Sequence, residues 1–136
     1  MNEFDKIKLI LKNQGINFLK ADVLDKSKDV ICIPYKGIKD SNSRILLFMQ
    51  YDIDKKILSY YLVEQINPGL DIDKVKSKLL DMNSKNIGIF MTKDNNLLYE
   101  INLYLNENKF EFSNYMDNTL NCIETYEYLK EQQIIL

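Results

Sequence analysis

Residues 44–64 constrain this chain more than any other segment. Residues 44–51 form its most apolar run, residues 56–64 form a second, and Asp52-Ile53-Asp54-Lys55 between them supplies turn chemistry. The two runs therefore read as an antiparallel hairpin. If Tyr51 pairs with Lys56, then Ile45, Leu47 and Met49 share one face with Leu58, Tyr60 and Leu62. That face belongs against helices. The opposite face carries Leu46, Phe48, Ile57, Tyr61 and Val63, relieved only by Gln50 and Ser59. A sheet covered on one side should alternate apolar and polar residues. This ribbon does not, so its second face needs a cover of its own.

The flanking segments fill in an α+β order. Phe4, Ile7, Ile10 and Leu11 recur at helical spacing, with Asn2 as N-cap and Gly15 as stop, which predicts a helix over 3–14. Residues 16–29 are charged and weakly periodic and read as a connection with a short extended start. Residues 30–35 are β-rich, and Pro34 places that strand at an edge or near its own end. Asn67-Pro68-Gly69 breaks the pattern. Asp71 then caps a helix carrying Ile72, Val75, Leu79 and Met82 on one face. Residues 87–92 and 97–105 form a second hairpin around Asp94-Asn95-Asn96. A two-residue turn would set Phe90, and a three-residue turn Ile89, opposite Ile101. After a polar loop over 106–112, Asn114 with Asp117 suggests a capping box. The last helix then runs to about Gln132 with Met116, Leu120, Ile123 and Tyr126 as its stripe. The expected fold is one domain over 1–136, α+β, with an antiparallel sheet of about five strands and helices on one face, in the order α-β-β-β-α-β-β-α.

Much familiar chemistry is missing. The chain has no histidine, which removes the commonest general base and metal ligand. Its four glycines stand alone, so no phosphate-cradling loop exists. Cys32 and Cys122 lie far apart in apolar segments and read as two buried thiols rather than a zinc site or a disulfide. Asp52 with Asp54, Asp71 with Asp73, and Asp94 sit where turns and helix starts favour aspartate for local hydrogen bonds. Glu100 and Asn102 read as the solvent side of the last strand. No catalytic residues, cofactor or metal ligands are therefore expected, and the chain does not read as an enzyme.

Charge narrows the partners. Eighteen basic and twenty acidic residues give a net charge of −2 without a basic cluster. Lys74, Lys76 and Lys78 fan around a helix as a solvated face, so nucleic acid is not an expected partner. The first six residues are too polar for a signal peptide, and no run reaches the roughly 18 apolar residues that span a bilayer. The expected setting is cytoplasmic, with no membrane. What remains is the second face of the ribbon. Leu46, Phe48, Ile57, Tyr61 and Val63 are the candidate surface for a protein partner or for self-association as a homodimer. The competing reading is that a helix of the same chain covers them, the last helix with its Ile134-Ile135-Leu136 tail being the obvious one. Nine tyrosines and no tryptophan fit an interface, although tyrosine is also common in strands.

The segment Leu79-Leu80-Asp81-Met82-Asn83, then Gly88-Ile89-Phe90, then Lys93-Asp94-Asn95-Asn96-Leu97 resembles the YbjN-type regulators and the type III secretion chaperone-like fold that they share. Asn95-Asn96 stands where that family often has Asp-Gly. The resemblance implies a non-enzymatic, often dimeric protein that binds another polypeptide or modulates a regulatory pathway, with no catalytic residues to carry over. The expected function is thus an interaction module of chaperone-like or regulatory type. The alternative is a dedicated inhibitor or immunity protein neutralising a toxin.

Overall fold

A computed structural model describes residues 2–21, 28–105 and 109–136. The central hairpin forms from β3 (Arg44–Asp52) and β4 (Ile57–Gln65). Its ladder runs from Asp52 opposite Ile57 to Phe48 opposite Tyr61. Tyr51 stands opposite Leu58 and not Lys56, a register two residues away from the one assumed from sequence. The turn sets this. Asp52 Oδ1 accepts hydrogen bonds from the N–H groups of Asp54 (3.0 Å) and Lys55 (3.1 Å), and Lys56 takes φ 57° before the return strand begins. Because side chains alternate with period two, a two-residue slip leaves each face with the same residues.

Two strands extend the sheet on either side. β2 (Val30–Lys36) pairs with β3, and the two-residue β1 (Leu19–Lys20) pairs with β2. On the far side β6 (Asn96–Tyr104) pairs with β4, and β5 (Ile89–Lys93) pairs with β6. The sheet is antiparallel throughout, six strands in the order β1-β2-β3-β4-β6-β5, one more than expected. The added strand lies in the segment read as a connection. Both of its residues are exposed, so pairing to β2 and not burial defines it; residues 22–27 of that segment fall outside the described residues. Pro34 stands beyond the part of β2 that β1 pairs, where a missing N–H is tolerated.

The second hairpin turns on Asp94-Asn95, with Asp94 at φ 56° and Lys93 opposite Asn96. Phe90 therefore faces Tyr99, and neither register anticipated opposite Ile101 occurs. Asn96 is already a strand residue, which the run of two asparagines concealed.

Three helices cover one face. α1 (Glu3–Asn13) starts with a reciprocal capping box between Asn2 and Asp5, and Gly15 at φ 79° follows its end. α2 (Ile72–Asn83) is capped by Asp71. α3 (Phe112–Glu131) begins earlier than the Asn114–Asp117 pattern suggested; its N-cap is Glu111, and Asn114 and Asp117 already lie inside the helix. Its inward stripe is also rotated. Tyr115, Asn118, Thr119, Cys122, Ile123, Tyr126 and Leu129 are buried, whereas Met116 (56%) and Leu120 (43%) are exposed. The buried side is partly polar because it meets tyrosines of the sheet, and an apolarity pattern undercounts such a face.

One core lies between the helices and the inner sheet face, built on Ile31, Ile33, Ile45, Leu47, Met49, Leu58, Tyr60, Leu62, Tyr99 and Ile101. The C-terminal tail joins it. Gln133 at φ 58° turns the chain back, Ile134 and Ile135 are buried, and Ile135 forms a bridge with Ile66. The tail therefore joins the helical side and does not lie over the other face of the ribbon.

The β5 edge is fastened to α2. Asn83 Oδ1 accepts from the Phe90 N–H (2.6 Å), and Asn83 Nδ2 donates to the Phe90 carbonyl (3.3 Å). The Gly88 N–H donates to the Tyr99 hydroxyl (3.0 Å), which donates onward to Asn121 (2.6 Å). A Cβ on Gly88 would lie 2.5 Å and 2.7 Å from Tyr99 ring carbons and 2.8 Å from the Glu100 carbonyl oxygen. Gly88→Ala should therefore destabilise the fold by about 1–3 kcal/mol, the usual cost of overpacking. A lowered urea midpoint with an unchanged slope would show it; an unchanged midpoint would contradict the packing described.

Candidate functional site

The outer face of the sheet, away from all three helices, is where the candidate residues lie. The pairing places its side chains in rows across the strands. The innermost row runs Leu19, Cys32, Phe48, Tyr61, Glu100, Ile89. Next to it, one step along each strand, lie Pro34 with Leu46, and Val63 with Leu98 and Met91. The β3–β4 ladder stops at Phe48–Tyr61, so Leu46 and Val63 flank the point where it ends. Beyond this apolar band on one side are Gln50, Ser59 and Asn102, the last two joined by a 2.5 Å hydrogen bond from Ser59 Oγ to Asn102 Oδ1. Ile57 and Tyr104 continue past them. On the other side is a cationic border: Lys36 directly opposite Arg44, and Lys93 opposite Asn96.

All five candidate residues sit on this face. Leu46 (46%) and Val63 (47%) are exposed; Phe48, Ile57 and Tyr61 are half-buried. The Phe48 and Tyr61 rings stack at 5.4 Å with 15° between their planes, which accounts for part of their cover. Among the described residues no helix or strand lies over them. Pro34, Cys32, Leu98, Ile89 and Met91 widen the surface, and the sequence reading missed them. Alternation along residues 96–104 shows which of its side chains share a face. Nothing local says that this strand lies beside β4.

A hollow of about 540 Å³ adjoins the band, lined among others by Val63, Met91, Lys93, Asn96 and Leu98. Polar hollows lie elsewhere among the described residues. One, of about 250 Å³, gathers Lys39, Asp40, Ser43, Glu127, Lys130 and Glu131. Its carboxylates are engaged in holding the 37–43 loop. Buried Glu127 accepts from the Lys39 N–H (2.7 Å), Glu131 pairs with Lys39 Nζ (2.9 Å), and Asp40 accepts from the Asn42 N–H (3.0 Å) and Ser43 Oγ (3.3 Å). Another, of about 330 Å³ between α2 and α3, is bordered by Lys78, Asp81, Lys85, Asn121, Glu124 and Tyr128. There Lys85 pairs with Asp81 (3.2 Å) and Lys78 with Gln132 (2.7 Å). Glu64 stands half-buried near Lys130, and burial raises its pKa.

Three of the aspartates read as structural have a local role. Asp52 and Asp71 accept backbone N–H groups in their turn and cap, and Asp94 supplies the positive φ of its turn. Among the described residues no group of three or more His, Cys, Asp or Glu side chains could hold a metal ion, and no helix is long and apolar enough to cross a membrane. The two cysteines are free. Cys122, on the inward side of α3, is buried, and burial pushes its thiol up to about 12; Cys32 is half-exposed on the outer face, its pKa raised by burial.

Beneath α3, Tyr35, Tyr60, Tyr99 and Tyr115 bring their hydroxyls into the core. Those of Tyr35 and Tyr115 hydrogen-bond to each other. The Tyr60 hydroxyl and Thr119 Oγ1 are buried without a well-formed hydrogen bond, Asn118 being a polar neighbour of Tyr60. Burial raises all four tyrosine pKa values.

No protein-family model matches this chain, and no curated protein sequence matches it either.

Two outcomes follow from these environments. A thiol reagent at mildly alkaline pH should label Cys32 in the native protein and Cys122 only after unfolding; equal labelling rates would contradict the placement. Above a pH of about 10 the unfolded chain loses phenolic protons that the folded protein keeps. Stability is then full below that pH and falls as pH rises, by up to about 1.4 kcal/mol per pH unit for each such tyrosine. Urea midpoints measured across that range should drop, and Tyr60→Phe with Tyr115→Phe should flatten the drop.

Proposed function

We propose that this protein is a non-enzymatic interaction module of chaperone-like or regulatory type that binds another polypeptide through the outer face of its sheet. The single observation behind this reading is the band of Leu46, Phe48, Tyr61, Val63, Leu98 and Met91, an apolar surface with no cover among the described residues. Apolar surface left in water costs about 25 cal/mol per Å², and a contiguous patch of this kind marks an interaction site. The carboxylates of the hollow around Lys39 are tied to backbone and lysine partners, so an internal role accounts for them, unlike the outer face. The resemblance to YbjN-type and type III secretion chaperone-like proteins rests on the residues quoted between Leu79 and Leu97 and belongs to this proposal.

Phe48→Ser combined with Tyr61→Ser tests it. The expected outcome is a protein with native circular dichroism that no longer retains polypeptides held by the unaltered chain, and whose Cys32 is no longer shielded from labelling when they are present. Unchanged retention and sedimentation in a folded double variant would defeat the proposal.

A further inference from the structure

We infer that the segment received by this face is acidic and amphipathic, with apolar side chains along Pro34, Leu46, Val63, Leu98 and Met91 and carboxylates against Lys36, Arg44 and Lys93. The inference rests on the reading of the outer face as an interaction surface and specifies its partner.

Three features of the cationic border carry it. Lys36 and Arg44 are direct cross-strand neighbours on the same face, an arrangement that costs stability unless a negative group answers it. Neither they nor Lys93 forms an ion pair among the described residues, although the chain is acidic overall with a net charge of −2. These three cations border the outermost apolar row at both of its ends, and the hollow of about 540 Å³ at the Lys93 end is lined by Val63, Met91, Leu98, Lys93 and, on its rim, Asp94. An apolar side chain seated there would bring a neighbouring carboxylate to Lys93. A second copy of the chain is a poorer occupant. Its outer face offers Asp52, Glu100 and Asp94 as carboxylates; Asp52 is committed to its turn, Glu100 sits among the apolar side chains of the innermost row, and Asp94 stands beside Lys93 on the rim of its own hollow.

Two synthetic peptides of equal length test the inference, one alternating Leu and Phe with Glu, the other alternating them with Lys. Each is titrated by fluorescence anisotropy against the full chain at low and physiological salt. The acidic peptide should bind at least about tenfold tighter, with affinity falling as salt rises. The triple variant Lys36→Glu, Arg44→Glu, Lys93→Glu should reverse the preference, and Phe48→Ser with Tyr61→Ser should abolish binding of both. Equal binding of the two peptides, abolished by the Phe48 and Tyr61 substitutions, would overturn the acidic partner while leaving the interaction face standing. Binding that neither variant alters would overturn both. No binding of the acidic peptide, a dimer dispersed by Phe48→Ser, or tight binding to anionic lipid vesicles would each overturn the inference.

Discussion

The β3–β4 ribbon is the constraint on which the rest of the molecule depends. Both of its faces are apolar, and a hairpin has only two. The inner face, with Met49 opposite Tyr60, is satisfied by all three helices and the C-terminal tail. The outer face is left with the stacked rings of Phe48 and Tyr61 and the exposed side chains of Leu46 and Val63. Every helix among the described residues is spent on one side, so the asymmetry is a consequence of topology and not of a local defect.

The neighbouring strands enlarge that asymmetry. β6 presents Leu98 beside Val63, and β5 adds Ile89 and Met91, so an apolar band crosses the sheet from Pro34 to Met91. The edges differ in how they are filled. At β5 the backbone of Phe90 is occupied on both its N–H and its carbonyl by Asn83. β1 offers two residues. Open edges invite pairing with foreign strands, and the Asn83 contacts at Phe90 take up part of one such edge.

The helical side is fixed by polar as well as apolar contacts. Glu127, buried on α3, captures the backbone of the 37–43 loop, and Lys130 reaches Ser43 at 3.1 Å. Tyr99 links Gly88 to Asn121 and so ties β5, β6 and α3 together. Such contacts set the rotation of α3 about its axis. They go with an inward Tyr115 and an outward Met116 and Leu120: the hydroxyls of Tyr35 and Tyr99 on the sheet find hydrogen-bonding neighbours in Tyr115 and Asn121 of the helix.

The amino-acid sequence by itself determined the helices capped by Asn2 and Asp71, the two hairpins, and above all which side chains of the central ribbon share a face. That last assignment survived a register two residues from the assumed one, because alternation is a local property of extended backbone and tolerates even slips. Tertiary structure alone decided that β6 lies beside β4, that Leu19 and Lys20 form a strand, that α3 turns its polar stripe inward, and that Lys36, Arg44 and Lys93 border one apolar band. Each of these depends on contacts between residues distant in the chain, whose free energy is shared across the whole core and leaves no periodic trace in any one segment.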